Sequence, residues 1–145
     1  MRKVGPGREP LPAAVTMTLG LLCIALLAGV LSLTVQARQS RNAAQDAATA
    51  MTGGDPQAGL AAMRSHGCGA CHEIPGLALA DGRVGPSLDK IATRAFIAGR
   101  LPNAPAAMSS FLTQPQHIQP QSGMPDMPIT QTEARDMSAY LYTLR

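Results

Sequence analysis

The chain has 145 residues, room for one domain of ordinary size or for a smaller domain with an extension. Two Phe, two Tyr and no Trp leave its second half short of large side chains for a core, a gap that a buried prosthetic group would fill. The formal net charge of +3 sits entirely before Asp55, because seven basic residues from there to the C-terminus are cancelled by seven acidic ones, and this balance excludes a basic face for nucleic acid.

Residues 1–12 carry Arg2, Lys3 and Arg8 among Gly and Pro and read as a short cytoplasmic tail. Residues 13–35 contain no charge and are long enough to cross a bilayer as one helix, which takes about 20 residues. The apolar core of a cleavable signal is shorter, about 7–15 residues. Val35-Gln36-Ala37 nevertheless satisfies the small-residue rule for cleavage, so removal of the segment is the alternative. Cys23 follows a bulky Leu22 and is read as an apolar residue of the span. Residues 36–54 are polar and alanine-rich, a linker or stalk inclined to helix by its alanines and closed by Gly53-Gly54.

Asp55-Pro56 is a helix start, with a side-chain oxygen for the free amides and a proline where no N–H is missed. The helix from Gln57 to His66 puts Gly59 and Met63 on one face and leads into Cys68-Gly69-Ala70-Cys71-His72. Two thiols three positions apart, followed by an imidazole, form the attachment sequence of c-type haem. Half a zinc site, a dithiol redox pair and a structural disulfide are the competing readings. A zinc site would need further ligands from His66, His117 or Cys23, and a thioredoxin-like motif would need a βαβ context. His66 and His117 are both expected at the surface. Pro75, Gly76, Asp81-Gly82 and Gly85-Pro86 then describe a loop wrapped around such a group. Ser87 to Ala98 is predicted as a helix with Leu88, Ile91, Ala95 and Phe96 as its apolar stripe and Gly99 as its stop. Ala106 to Leu112 is predicted as a second short helix.

From Pro115 to Pro128 the chain has four prolines and no periodicity. Met124 and Met127 both precede proline, which favours extended backbone, so a stiff loop presents their thioethers. Thr130-Gln131-Thr132-Glu133 is a capping box, and the last helix runs to about Leu144 with Met137, Tyr140, Leu141 and Leu144 as its packing face. The Gly59 face of the first helix is the partner expected for it.

Over Asp55 to Arg145 these features together resemble a class I cytochrome c. The features are a helix with an internal glycine, the Cys-X-X-Cys-His string, Gly85-Pro86-Ser87-Leu88, a Met-Pro loop and a final helix bearing Tyr-Leu. The resemblance is closest to membrane-anchored bacterial cytochromes c and to the cytochrome domain of haem-copper oxidase subunit II, although Phe111 stands where those domains usually carry Trp. It implies an all-α haem domain over residues 55–145, preceded by a single N-terminal transmembrane helix. One haem c would be joined to Cys68 and Cys71, with His72 and Met124 as axial ligands, Met127 as second choice and the Pro86 carbonyl accepting from the second nitrogen of His72.

The implied function is single-electron transfer in a respiratory chain, without substrate chemistry. The chain would act as a subunit of a terminal oxidase or another respiratory complex, or as a short-range donor to it, on the periplasmic side of a bacterial inner membrane. A haem c subunit of a periplasmic membrane-bound dehydrogenase is the alternative, and a gas-sensing or peroxidatic haem protein would need an open iron. Lys90 is the only lysine after Asp55, so long-range steering is expected to be weak and a tether to take its place.

Overall fold

The computed structural model describes residues 12–145; the expected basic tail lies outside them apart from Pro12. The described chain is mostly helical and divides into two compact units at Ser40, the second being residues 41–145. Helix α1 (Ala13–Thr52) contributes to both. In the first unit its large apolar side chains, from Val15 to Val35, are between 39% and 70% exposed. This stretch is long and apolar enough to cross a membrane.

The second unit begins within the segment expected to be a linker. Ala48 is fully buried and belongs to the core cluster, while the Thr52 hydroxyl donates to the Ala48 carbonyl at 2.7 Å. Gly54 lies against the Arg135 backbone, and the Asp55 amide donates to Asp136 Oδ1 at 2.8 Å. Residues 41–54 are therefore packed into the domain rather than serving as a free stalk. Small side chains at 48 and 54 allow this close approach.

Helix α2 (Pro56–Ser65) starts where expected, with the Asp55 carboxylate accepting from the Gln57 amide and Pro56 at the first position. Gly59 and Met63 are its buried face. Helix α5 (Gln131–Thr143) opens with the full capping box: the Glu133 amide donates to the Thr130 hydroxyl and the Thr130 amide to the Glu133 carboxylate. Between them lie α3 (Pro105–Thr113) and a single turn, α4 (Pro115–Ile118). Helix α5 is the centre of the packing, with α2 against one side and α3 against another. Its Met137 and Leu141 are buried, and Ser138 Oγ lies 3.0 Å from Ser109 Oγ on α3.

Two expectations are corrected. Ser87–Ala98 is not a helix: it contains one 3-10 turn (Ile91–Thr93) and then strand β1 (Phe96–Ile97), paired antiparallel with β2 (Leu101–Pro102). Lys90 adopts φ +53°, which breaks any helix at that point. The Asn103 amide donates at 2.8 Å to the carbonyls of both Ile91 and Arg94, and the Ala92 amide donates to Leu144 O at 3.1 Å. Tertiary partners thus take backbone groups that a helix would have paired internally. The proline-rich loop, for its part, is not wholly irregular, since Pro115 starts the turn α4 at a position that needs no N–H.

Candidate functional site

Helix α2 ends where His66 and Gly67 close on the carbonyls of Ala62 and Arg64 and Gly67 turns left-handed at φ +69°. The reversal feeds a 3-10 turn, Cys68–Ala70, in which the amides of Cys71 and His72 both donate to the Cys68 carbonyl, at 3.2 and 3.0 Å. One turn of backbone therefore carries Cys68, Cys71 and His72. Both thiols are free; Cys71 is exposed, and Cys68 is half-buried against the core. Burial raises the Cys68 pKa, partly opposed by a backbone hydrogen bond and helped by Cys71 beside it. A reactive dithiol motif depends on the opposite shift, so this thiol is poorly suited to disulfide exchange.

His72 is the best-defined side chain of the site. Its Nδ1 donates to the Pro86 carbonyl at 2.7 Å, which fixes the ring plane and tautomer and leaves Nε2 for another partner. The carbonyl is itself clamped. The Gly85 amide donates to Cys71 O and the Leu88 amide to Glu73 O, both at 2.8 Å, so bonds on either side of Pro86 tie its segment to the motif. Gly85 forms the floor under the ring, and a Cβ there would stand 2.6 Å from Nδ1 and 2.8 Å from Nε2. Gly82 packs on the backbone of Ala70 and Cys71 in the same way.

Met124 and Met127 are half-buried and packed on the same core cluster as Cys68, together with Leu88, Leu101 and Phe111. These apolar side chains remain partly exposed although they belong to the core's edge. Among the described residues no three His, Cys, Asp or Glu side chains group as a metal site. Cavities occur beside the motif and away from it. One of about 260 Å³ runs along Arg64, Gly69 and Leu77 to Ala80, and one of about 520 Å³ lies between Arg41, Gln45, Leu60, Pro75 and Tyr140. Neither is lined by His72, Met124 or Met127.

His117 is exposed as expected, but His66 is not simply solvent-facing. Its side chain is 16% exposed, with Nε2 3.1 Å from Glu133 Oε1. The Glu133 pKa is lowered to about 2, first by the Thr130 amide, then by the Thr130 hydroxyl and by His66. Nothing near position 66 in the sequence signals this partner on the far helix. Gly85 was legible as part of a loop and of the Gly85-Pro86-Ser87-Leu88 string but not as the floor under the His72 ring, and the amide of Gln116, which ties the Met124 loop to α4, carries no local signal at all. Compared with family models, with curated proteins and with solved structures, the chain matches none.

Proposed function

We propose that the chain is a membrane-anchored mono-haem c-type cytochrome that passes single electrons in a respiratory chain, as a subunit of or short-range donor to a terminal oxidase. One relationship carries the reading: an imidazole oriented by a main-chain carbonyl at 2.7 Å stands directly after two free thiols on the same turn. A disulfide has no use for that orientation, whereas a metal-ligating imidazole is held this way; a zinc centre would need further ligands, and among the described residues no three His, Cys, Asp or Glu side chains group as a metal site.

On this reading Cys68 and Cys71 would hold the porphyrin by thioether bonds, and His72 through Nε2 and Met124 through its thioether would be the iron ligands, with Met127 as second choice to Met124. When bound, the group supplies an iron centre that gains or loses one electron. The residues around it keep that exchange free of other chemistry. Pro86 holds the Nδ1 proton and so makes His72 a stronger ligand. Leu88, Leu101 and Phe111, packed on the core cluster, would exclude water from the group, and ligation by the Met124 thioether would leave no site for a substrate while raising the potential relative to two histidines.

The anchor sets the setting. A single helix long and apolar enough for a membrane precedes the domain, and haem attachment takes place outside the cytoplasm, so the domain belongs on the periplasmic side of a bacterial inner membrane. Anchoring raises the effective concentration of the domain at a membrane-bound partner, which suits a domain whose charges balance.

The test is the intact mass and the visible spectrum of protein purified from membranes of a host competent in c-type haem attachment. The expected result is one added haem that survives denaturation, lost when Cys68 and Cys71 are both changed to Ala. An unmodified mass in such a host overturns the reading.

A further inference from the structure

The loop bearing Met124 is fastened to α4 through one residue. The Gln116 side-chain amide donates to Ser122 O at 2.6 Å and to Met124 O at 2.7 Å. The backbone amide of the same residue donates to Asp126 Oδ1 at 3.1 Å. A carboxamide has two N–H protons, and here both are spent on carbonyls that flank Gly123. The Met124 amide adds a bond to Ser122 Oγ at 3.2 Å, so the backbone is pinned on both sides of the one residue in this loop that has no side chain to restrict it. Met127 is held differently: its carbonyl accepts from the Ile129 amide at 2.7 Å, a contact directed forward toward α5.

From this geometry we infer that Gln116 is a positioning residue for Met124, delivering its thioether to one place and thereby favouring Met124 over Met127 as sixth ligand. The inference rests on the haem reading. Gln116 does not touch the proposed iron site itself; it acts through the loop backbone. The neutral amide is suited to this role because it can satisfy two carbonyls without bringing a charge into a partly buried loop.

The test uses the full-length protein purified from membranes. Gln116→Glu keeps the shape of the side chain but removes both donors at neutral pH and sets carboxylate oxygens against two carbonyls; Gln116→Ala removes the group altogether. Three quantities are read: covalent haem content, the Met-to-iron(III) band near the red end of the visible spectrum, and the affinity of the ferric protein for cyanide, which competes with the sixth ligand. Each lost hydrogen bond is worth roughly a factor of five, so both variants, which lose two, are expected to bind cyanide roughly 25-fold more tightly, with a weakened band and unchanged covalent haem. Asp126→Ala, which removes only the third tie, is expected to give a smaller rise, and it carries the test if the Gln116 variants fail to accumulate. Variants that melt lower but keep the wild-type band and cyanide affinity would show a merely structural role and overturn the inference. Failure of the haem reading is separately visible, as wild-type protein without covalent haem.

Discussion

Gly59 of α2 sits against the carbonyl of Asp136 in α5, so close that a Cβ at position 59 would overlap that oxygen and stand 2.8 Å from the Met137 amide. The two helices cross at backbone distance, and both of their buried faces, Gly59 with Met63 and Met137 with Leu141, depend on that separation. The helix that presents the Cys-X-X-Cys-His turn is thus positioned by the last helix of the chain.

Gly59→Ala is accordingly expected to destabilise the domain by about 1–3 kcal/mol, the usual range for forced overpacking. The atoms in the way are backbone and cannot rotate aside. Thermal unfolding followed by circular dichroism measures it; a melting temperature equal to wild type would mean that α2 and α5 are not packed at this distance.

A second prediction concerns how far the domain extends into the C-terminal part of α1. Because Ala48 is fully buried within the second unit, Ala48→Glu places an unpaired charge in the core and is expected to cost roughly 3 kcal/mol or more. If residues 41–54 were a free stalk, the same change would be silent. Limited proteolysis of the two proteins separates the cases, since a detached segment is cut faster than one held by the buried Ala48 and Gly54.

These two sites show which part of the fold could be read from sequence. The caps at Asp55 and Thr130 and the Gly59 face were legible because each is set by residues within one or two turns. The ribbon at Phe96–Ile97 was not. Leu88, Ile91, Ala95 and Phe96 have helical spacing, yet Asn103 and the Leu144 carbonyl take the backbone groups of that segment, and partners so distant leave no trace in a local pattern. In the site, the string from Cys68 to His72 stood out for its chemistry. The burial of His66 against Glu133 and the amide of Gln116 on its loop are contacts between elements, visible only once the chain is folded.

Acid should weaken the Thr130–Glu133–His66 cluster. Glu133 has its pKa lowered from 4.5 to about 2 in the folded protein, chiefly by the Thr130 amide. A depressed carboxylate contributes stability that is present above its unfolded pKa and is lost as pH falls toward the folded one. Stability is therefore expected to decline as pH is lowered from about 4.5 to about 2, and Glu133→Gln should flatten that part of the profile. Urea midpoints at a series of pH values measure it, and an unchanged slope in the variant would remove Glu133 from the account.

The last prediction addresses the orientation of His72. A Cβ at position 85 would stand 2.6 Å from the imidazole Nδ1 and 2.8 Å from Nε2, so Gly85→Ala has no room unless the ring moves. Moving the ring breaks the 2.7 Å hydrogen bond to Pro86 O, and with it the control of tautomer and ligand strength; losses of such outer partners at metal sites run to about 10–100-fold in affinity or activity. The atoms nearest a Cβ at position 85 all belong to the His72 ring and not to either thiol, so covalent haem is expected to persist in the proposed cytochrome while electron transfer slows within that roughly 10–100-fold range and the Nδ1–H proton loses its protected NMR resonance. A haem-loaded Gly85→Ala protein with the resonance and the rate intact would show that the Pro86 carbonyl does not govern the ligand.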